Sequence, residues 1–423
     1  MSLEPQTTPA APVNSDGDGA IEQPTTTVFP KPWGIFSAAF LLDLAQGCVG
    51  LSLQFLAVAM GAVPRILGML GAFGSTGYAI TCIFAGGWSD RIGRKRSAAI
   101  GMVLVATMWL LYTLAPTPTW LLLMVPIGGG ALGLIWPAMQ AWLAERTSPN
   151  QRALNRNLGL FNVAWSSGLV LGPIAAGYLW LDSLPARPFI VCASIGVCVL
   201  LILLRTPGGG PALRRDMASG KDQALHESHA WERLMKLSWV GNFGSWFAGA
   251  TILTMFPKLG IDELGFSHPT VGILIFCYQG ALTAMFFLAR TTQRWQGKLW
   301  PLPVAEWVSL CAMLFAALYA RSAPAFGVCF ALSGAAAGVT YVSSLYYSIN
   351  GPSETIGRRT GLHESILGIG ALAGGLISGD IAMRMGLRTP YIAVAIVLAL
   401  VILFQLVVVS RHPRGDVHSL ENR

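Results

Sequence analysis

Apolar residues in this chain come in long runs separated by short polar breaks. Reading from break to break gives twelve runs, at about 34–60, 66–87, 97–115, 119–143, 157–180, 187–204, 238–257, 269–289, 301–320, 324–348, 361–383 and 390–409. A bilayer core about 30 Å thick is crossed by about 20 helical residues at ~1.5 Å each. Backbone groups in lipid must be satisfied within their own segment, so the pattern predicts an all-α membrane protein of twelve transmembrane helices. The longest interior break, Arg205–Lys236, is polar, basic and punctuated by Gly and Pro. It divides the chain into a tail (1–30), a six-helix bundle (31–205), a linker (206–236), a second six-helix bundle (237–410) and a tail (411–423). Residues 1–30 are rich in Pro, Thr and Ala, a composition that builds no core and predicts a disordered tail. The first apolar run is about 25 residues long and lacks a basic leader, so it reads as a span and not a cleaved signal.

The two bundles repeat each other. Gly159-Leu160 matches Gly361-Leu362, and Gly168, Gly172 and Gly177 match Gly370, Gly374 and Gly379, all at an offset of 202. Gly93 matches Gly297 at 204 and Gly133 matches Gly338 at 205. Parallel repeats of this kind predict two pseudo-symmetric bundles about an axis along the membrane normal, with a site near the midplane between them.

Composition sharpens the class. Only 11% of the 423 residues are charged and 53% are hydrophobic, too little charge for a water-facing surface of ordinary size. A net charge of +8 could signal nucleic acid, but its placement says otherwise. With the N-terminus inside, 22 of the 28 Lys and Arg fall in segments on the cytoplasmic side and 6 on the other. That asymmetry predicts a multi-pass protein of the plasma (inner) membrane with both termini cytoplasmic, and no nucleic-acid partner. The seven Cys lie in apolar runs without metal spacing and read as packing residues, so no metal site and no cofactor is expected. No phosphate-binding G-x-x-x-x-G-K-[ST] and no H-E-x-x-H or G-x-S-x-G occurs, and the chain is not expected to be an enzyme.

One loop carries a signature. Between spans 2 and 3 stands Gly86-Gly87-Trp88-Ser89-Asp90-Arg91-Ile92-Gly93-Arg94-Lys95. It resembles the G-x-x-x-D-R-x-G-R-K loop of the major facilitator superfamily at every defined position, and the resemblance covers about residues 31–410. It implies that Asp90 with Arg91, Arg94 and Lys95 latches the two halves on the cytoplasmic side, Gly86 and Gly93 permitting the tight loop, with Glu145 a partner for Arg94. Physically, Asp90 suits the positive end of a facing helix. The second half keeps only a worn copy, Arg294-Trp295-Gln296-Gly297-Lys298, with Arg294 where the acid would be. In span 5, Gly168, Gly172, Pro173 and Gly177 resemble the G-x-x-x-G-P-x-x-x-G motif of drug:proton antiporters in that superfamily, a device for close packing and a bend. Such antiporters often carry an Arg in span 4; the corresponding Met124–Gly130 has no basic residue.

Ionisable groups at membrane depth are costly and point to function. Asp43 lies about nine residues into span 1, roughly 13 Å deep and near the midplane, on a face continued by Gln46, Gly50 and Gln54. It is the first candidate for proton coupling, and Glu364, after His363 at the start of span 11, is the second. Glu306 falls in span 9, which the resemblance places on the lipid-facing periphery, and Asp380 near the outer end of span 11. The resemblance assigns spans 1, 4, 7 and 10 to the cavity wall. Candidate cavity residues are Gln46, Gln54, Trp136, Gln140, Asn162, Trp165, Asn242, Trp246, Tyr278, Gln279 and Tyr341, a polar and aromatic set suited to an amphipathic ligand. No Lys or Arg sits deep in a span, which argues against strongly anionic substrates. The expected function is secondary transport by alternating access, as a monomer in the bilayer, exporting a neutral or cationic amphipathic small molecule in exchange for protons. The alternatives are a proton-coupled uptake symporter for a small nutrient and a non-transporting sensor or scaffold of the same fold.

Overall fold

A computed structural model describes residues 32–147, 151–207, 229–292, 294–349 and 356–410. The expected tails 1–30 and 411–423 and most of the 206–236 linker lie outside the described residues. Twelve α-helices follow in order: α1 Trp33–Ala59, α2 Pro64–Ile92, α3 Arg94–Tyr112, α4 Pro118–Thr147, α5 Gln151–Leu179, α6 Arg187–Arg205, α7 His229–Lys258, α8 His268–Thr291, α9 Pro301–Leu318, α10 Ala323–Ile349, α11 Ile356–Met385 and α12 Thr389–Ser410. A π-helical turn, Leu259–Glu263, continues α7, and no strand occurs among the described residues. Ten of the helices are long and apolar enough to cross a bilayer. The other two, α3 and α7, are diluted by polar residues, α3 by Arg94-Lys95-Arg96 at its start. Along α12, Ile396, Leu400, Leu403 and Leu406 are each more than half exposed, an apolar face of the kind that lipid covers. The protein is a multi-pass membrane protein.

Several helices outrun their apolar stretches. Helix α2 continues through the signature to Ile92, α5 begins at Gln151, α11 at Ile356, and α7 at His229, inside the segment read as linker. Polar residues beyond the hydrocarbon do not break a helix, so hydropathy marks the lipid-embedded part alone. The chain turns from α2 into α3 at Gly93, whose φ of +95° is one that a residue with a Cβ rarely adopts; Gly297, its counterpart at +204, has φ +71°.

The packing repeats as the sequence does. Helix α1 packs on α5 and α6, α2 on α4, and α3 on α4 and α6; α7 packs on α11 and α12, α8 on α10, and α9 on α10 and α12. Adding six to each label turns one set into the other, giving two pseudo-symmetric six-helix bundles; the symmetry fails where α7 also packs on α10 while α1 barely touches α4. Between the sets, α2 packs on α11 and α5 on α8, a pair that the same operation exchanges. The repeated glycines make these contacts. Gly172 leaves no room for a side chain, since a Cβ there would lie 2.6 Å from Gly47 Cα on α1; one at Gly374 would lie 2.9 Å from Phe247 Cα on α7. Across the seam, Gly177 faces Pro269 on α8, and Gly379 faces Arg65 on α2. Without a hydrophobic drive between helices in lipid, small residues and buried hydrogen bonds hold a bundle, each bond worth about 0.6 kcal/mol. Thr251–Ser378 (2.6 Å, α7–α11), Thr340–Ser245 (2.9 Å, α10–α7) and Ser309–Ser333 (2.8 Å, α9–α10) are such bonds.

Helix alternation gives the molecule two ends. The basic end carries the α2–α3 and α8–α9 loops and the close of α6; the far end carries the α1–α2, α5–α6, α7–α8 and α11–α12 loops.

Candidate functional site

A cavity of about 560 Å³ lies on the seam between the bundles. Each wall is one helix face read at helical spacing. Helix α1 supplies Gln46, Gly50 and Gln54; α7 supplies Trp246, Leu253 and Thr254; α8 supplies Tyr278, Gln279, Thr283 and Phe286. Trp165 and Pro173 come from α5, Ser75 from α2, Tyr341 from α10, and Glu364 and Leu367 from α11. Aromatic rings make a continuous side: Trp246 lies 6.3 Å and Phe286 5.1 Å from Tyr341, centroid to centroid. Glu364 is the one ionisable acid among the lining residues, and no Lys or Arg is among them.

The far end is shut. Gly68 on α2 abuts the Gly375 backbone on α11, and Gly272 on α8 abuts Pro173 on α5, the same contact repeated about the axis. Arg65 at the start of α2 pairs with Asp380 on α11, which also accepts from Arg384 at 2.8 Å. On the symmetric side His268 stands 3.9 Å from Asp182 and packs on Phe55 and Trp180, with centroids 4.7 and 5.5 Å away. Toward the basic end the cavity opens: the Glu364 side chain, near the start of α11, is 68% exposed while lining it.

Eight of the expected residues meet in this cavity: Gln46, Gln54, Trp165, Trp246, Tyr278, Gln279, Tyr341 and Glu364. Four do not line it. Trp136 packs edge-on against Phe161 at 6.0 Å, Asn162 accepts from Trp165 Nε1 at 3.0 Å, Gln140 is exposed, and Asn242 is fully buried. Helix α4 contributes no wall because it is seated behind α2, where Gly133 lies against Thr81 and Gly129 against Gly74. The wall is therefore built chiefly by α1, α5, α7, α8 and α11, and α10 adds Tyr341. Asp43 is buried (6% exposed) on α1 outside the cavity lining, in the half of α1 nearer the basic end.

At the basic end, Arg94 at the start of α3 pairs with Asp90 and donates from Nε to Glu145 Oε1 of α4 at 3.0 Å. Lys95 Nζ donates to the carbonyls of Leu204 (2.5 Å) and Thr206 (3.0 Å), satisfying the open end of α6. Arg146 reaches the Pro207 carbonyl at 2.5 Å. These contacts of Asp90, Arg94 and Lys95 stay within the first bundle. Gly168, Gly172 and Pro173 stand where α5 meets α1 and α8, and Gly177 where α5 meets α8.

Two features were not anticipated. Glu306 does not face lipid: it is 0% exposed and accepts from Gln405 Nε2 of α12 at 2.8 Å, against Gly241 of α7. An acid gains more from a buried amide donor than from hydrocarbon, so α9 turns that face inward. His363, also 0% exposed, bonds Ser344 Oγ through Nδ1 at 2.7 Å, lies 5.2 Å from the Tyr341 ring and holds Nε2 3.9 Å from Glu364. Among cavity residues, Ser75, Thr254, Thr283 and Phe286 were also missed. Periodicity could have found Thr254 and Phe286, each eight residues beyond a candidate, Trp246 and Tyr278.

Over 251 residues the chain is 26% identical to "Multidrug resistance protein 1" of Bacillus subtilis, covering 56% of this chain and 62% of that protein. Over 226 residues it is 25% identical to "Quinolone resistance protein NorA" of Staphylococcus aureus, covering 53% of each. The chain thus spans between half and two thirds of the length of these relatives. Among solved structures, a bacterial homolog of the human lysosomal transporter Spinster, inward-facing and unoccupied, superposes with a TM-score of 0.74 at 15% identity, covering 89% of this chain and 97% of that one. The nucleoside transporter NupG gives 0.68 at 14%, covering 89% and 98%. The family model described as Major Facilitator Superfamily matches residues 35–348 and 238–422, and the chain belongs to that superfamily.

Proposed function

We propose that this protein is a secondary transporter that exports a neutral or cationic amphipathic small molecule across the plasma membrane by alternating access, driven by protons. One observation carries the reading: a cavity on the seam of two pseudo-symmetric bundles, closed at one end, walled by aromatic rings and amides, with one carboxylate and no cation among its lining residues. Such a wall binds flat apolar groups by stacking and favours positive over negative charge. The drug-resistance relatives support the efflux direction. The basic end is cytoplasmic by the distribution of Lys and Arg, so the described conformation is the one that loads from the cytoplasm.

Glu364 contacts the cargo and Asp43 carries the proton. An ionised carboxylate buried without a cation costs several kcal/mol, so a group at the position of Asp43 changes its proton occupancy as the bundles exchange their exposed ends. The Asp90–Arg94–Glu145 cluster and Lys95 stiffen the cytoplasmic end of the first bundle and form the latch when that end closes.

The test is uptake of ethidium by proteoliposomes under an imposed pH gradient. Accumulation that collapses with the gradient and is lost in Asp43→Asn is expected. Gradient-independent ethidium distribution in the wild type would overturn the reading, and equal flux in both proteins would remove Asp43 from the coupling role.

A further inference from the structure

The second bundle departs from the first at its copy of the signature loop. In the first bundle the two cations that follow the turn glycine of the signature are used internally: Arg94 by Asp90 and Glu145, Lys95 by the end of α6. Moving 204 residues along, Gly297 keeps the positive φ of Gly93, Lys298 replaces Arg94 and Arg294 replaces Asp90; at the offset of 205 that relates α4 to α10, Asn350 replaces Glu145. Both acids are gone and a cation stands in the place of Asp90, while Arg91 and Lys95 give way to Trp295 and Leu299. Neither the Arg294 nor the Lys298 side chain has an ion pair or hydrogen bond among the described residues.

Beside this loop an apolar groove of about 350 Å³ opens sideways between α8, α9 and α10, with Trp295 and Trp300 at its loop end and Ala335 and Val339 on its floor. At Val308 and Leu332 it runs into a second apolar hollow that reaches Phe315. From Pro301 to Phe315 the groove follows α9 for about 21 Å, more than the ~15 Å depth of one leaflet's hydrocarbon. Trp300 is 59% exposed at the start of α9, where indole rings mark the headgroup level of a membrane.

We propose that this groove holds one acyl chain of a phospholipid whose anionic headgroup is bound by Arg294 and Lys298. The occupant is a lipid because the groove faces the bilayer along its length and the charges sit at one end only. Basic pockets between transmembrane helices bind such headgroups.

Native mass spectrometry of the full chain, purified in mild detergent with equal phosphatidylglycerol and phosphatidylcholine, tests this. Wild type is expected to retain phosphatidylglycerol over phosphatidylcholine by about thirtyfold, two cations acting on one headgroup. The double variant Arg294→Gln/Lys298→Gln should retain both equally, and Ala335→Phe, which fills the groove and leaves the charges, should retain neither. Glycerophosphoglycerol, which has the headgroup and no tails, should not displace the bound lipid. Equal retention by wild type, an undiminished preference in the double variant, or unchanged retention in Ala335→Phe would overturn the site. So would a wild-type dimer that Ala335→Phe dissociates, since a second copy would then cover the groove. Unchanged thermal unfolding of the variants separates a lost site from a lost fold.

Discussion

Gly375→Ala is expected to move the protein away from the conformation described. Gly375 sits on α11 where α11 crosses α2, and its added Cβ would lie 2.8 Å from the Gly68 carbonyl oxygen. Ordinary contact begins near 3.4 Å, so the overlap is about 0.6 Å, and the obstructing atom is backbone, which no rotamer change can clear. Overpacking of this kind costs about 1–3 kcal/mol. The contact exists only while the far end is shut, so the cost falls on that state and shifts the balance by about 5- to 150-fold. Spin labels at Val63 and Met385, exposed at the far ends of α2 and α11, read the change by pulsed dipolar spectroscopy. The distance distribution in Gly375→Ala should move to longer values. Gly368→Ala on the same helix, with nothing within 4 Å of its added Cβ, should leave it in place. An unmoved distribution in Gly375→Ala, or an equal shift in Gly368→Ala, refutes the assignment of α2–α11 as the far gate.

Asp380→Asn removes the partner of Arg65 and Arg384, but both bridges are well exposed and screened; the same label pair should shift in the same direction and by less than with Gly375→Ala. Arg94→Ala strands the half-buried Glu145 at the α4 end and should lower the midpoint of thermal unfolding in detergent, whereas Arg91→Ala should not. Glu306→Gln keeps an oxygen for Gln405 Nε2 and should leave stability nearly unchanged; Glu306→Ala opens a buried hole and should cost about 2 kcal/mol or more by denaturant titration. His363→Gln should impair ethidium flux more than expression, because it loosens the seat of Tyr341 and Glu364 on the cavity wall.

Much of this architecture is written in the chain. Long apolar runs place the helices because lipid leaves no other way to satisfy a backbone. Of the glycines at +202, the pairs Gly168/Gly370, Gly172/Gly374 and Gly177/Gly379 are close contacts at equivalent places, since close approach is a demand that few other residues meet; Gly159 and Gly361 face open space. Faces were harder to read. Helix α9 is apolar nearly all round, so no stripe says which way Glu306 points; that depends on Gln405, 99 residues away. Arg65 and Asp380 are 315 residues apart and meet only because the repeat folds α2 of one bundle onto α11 of the other. Asp43 is polar and central, yet it is buried off the cavity lining, because which way a helix face turns is set by neighbours that hydropathy does not show. For the same reason α4, polar residues and all, stands behind α2.

The central claim is that the two bundles exchange which end is open. Two label pairs on the same two helices measure it at once: Val63 with Met385 at the far end, and Trp88 with Leu362 at the basic end, all exposed positions. In wild-type protein, adding ethidium or stepping the pH should lengthen the far pair in the same fraction of molecules that shorten the basic pair. Two pairs that stay fixed, or that lengthen together, would contradict alternating access.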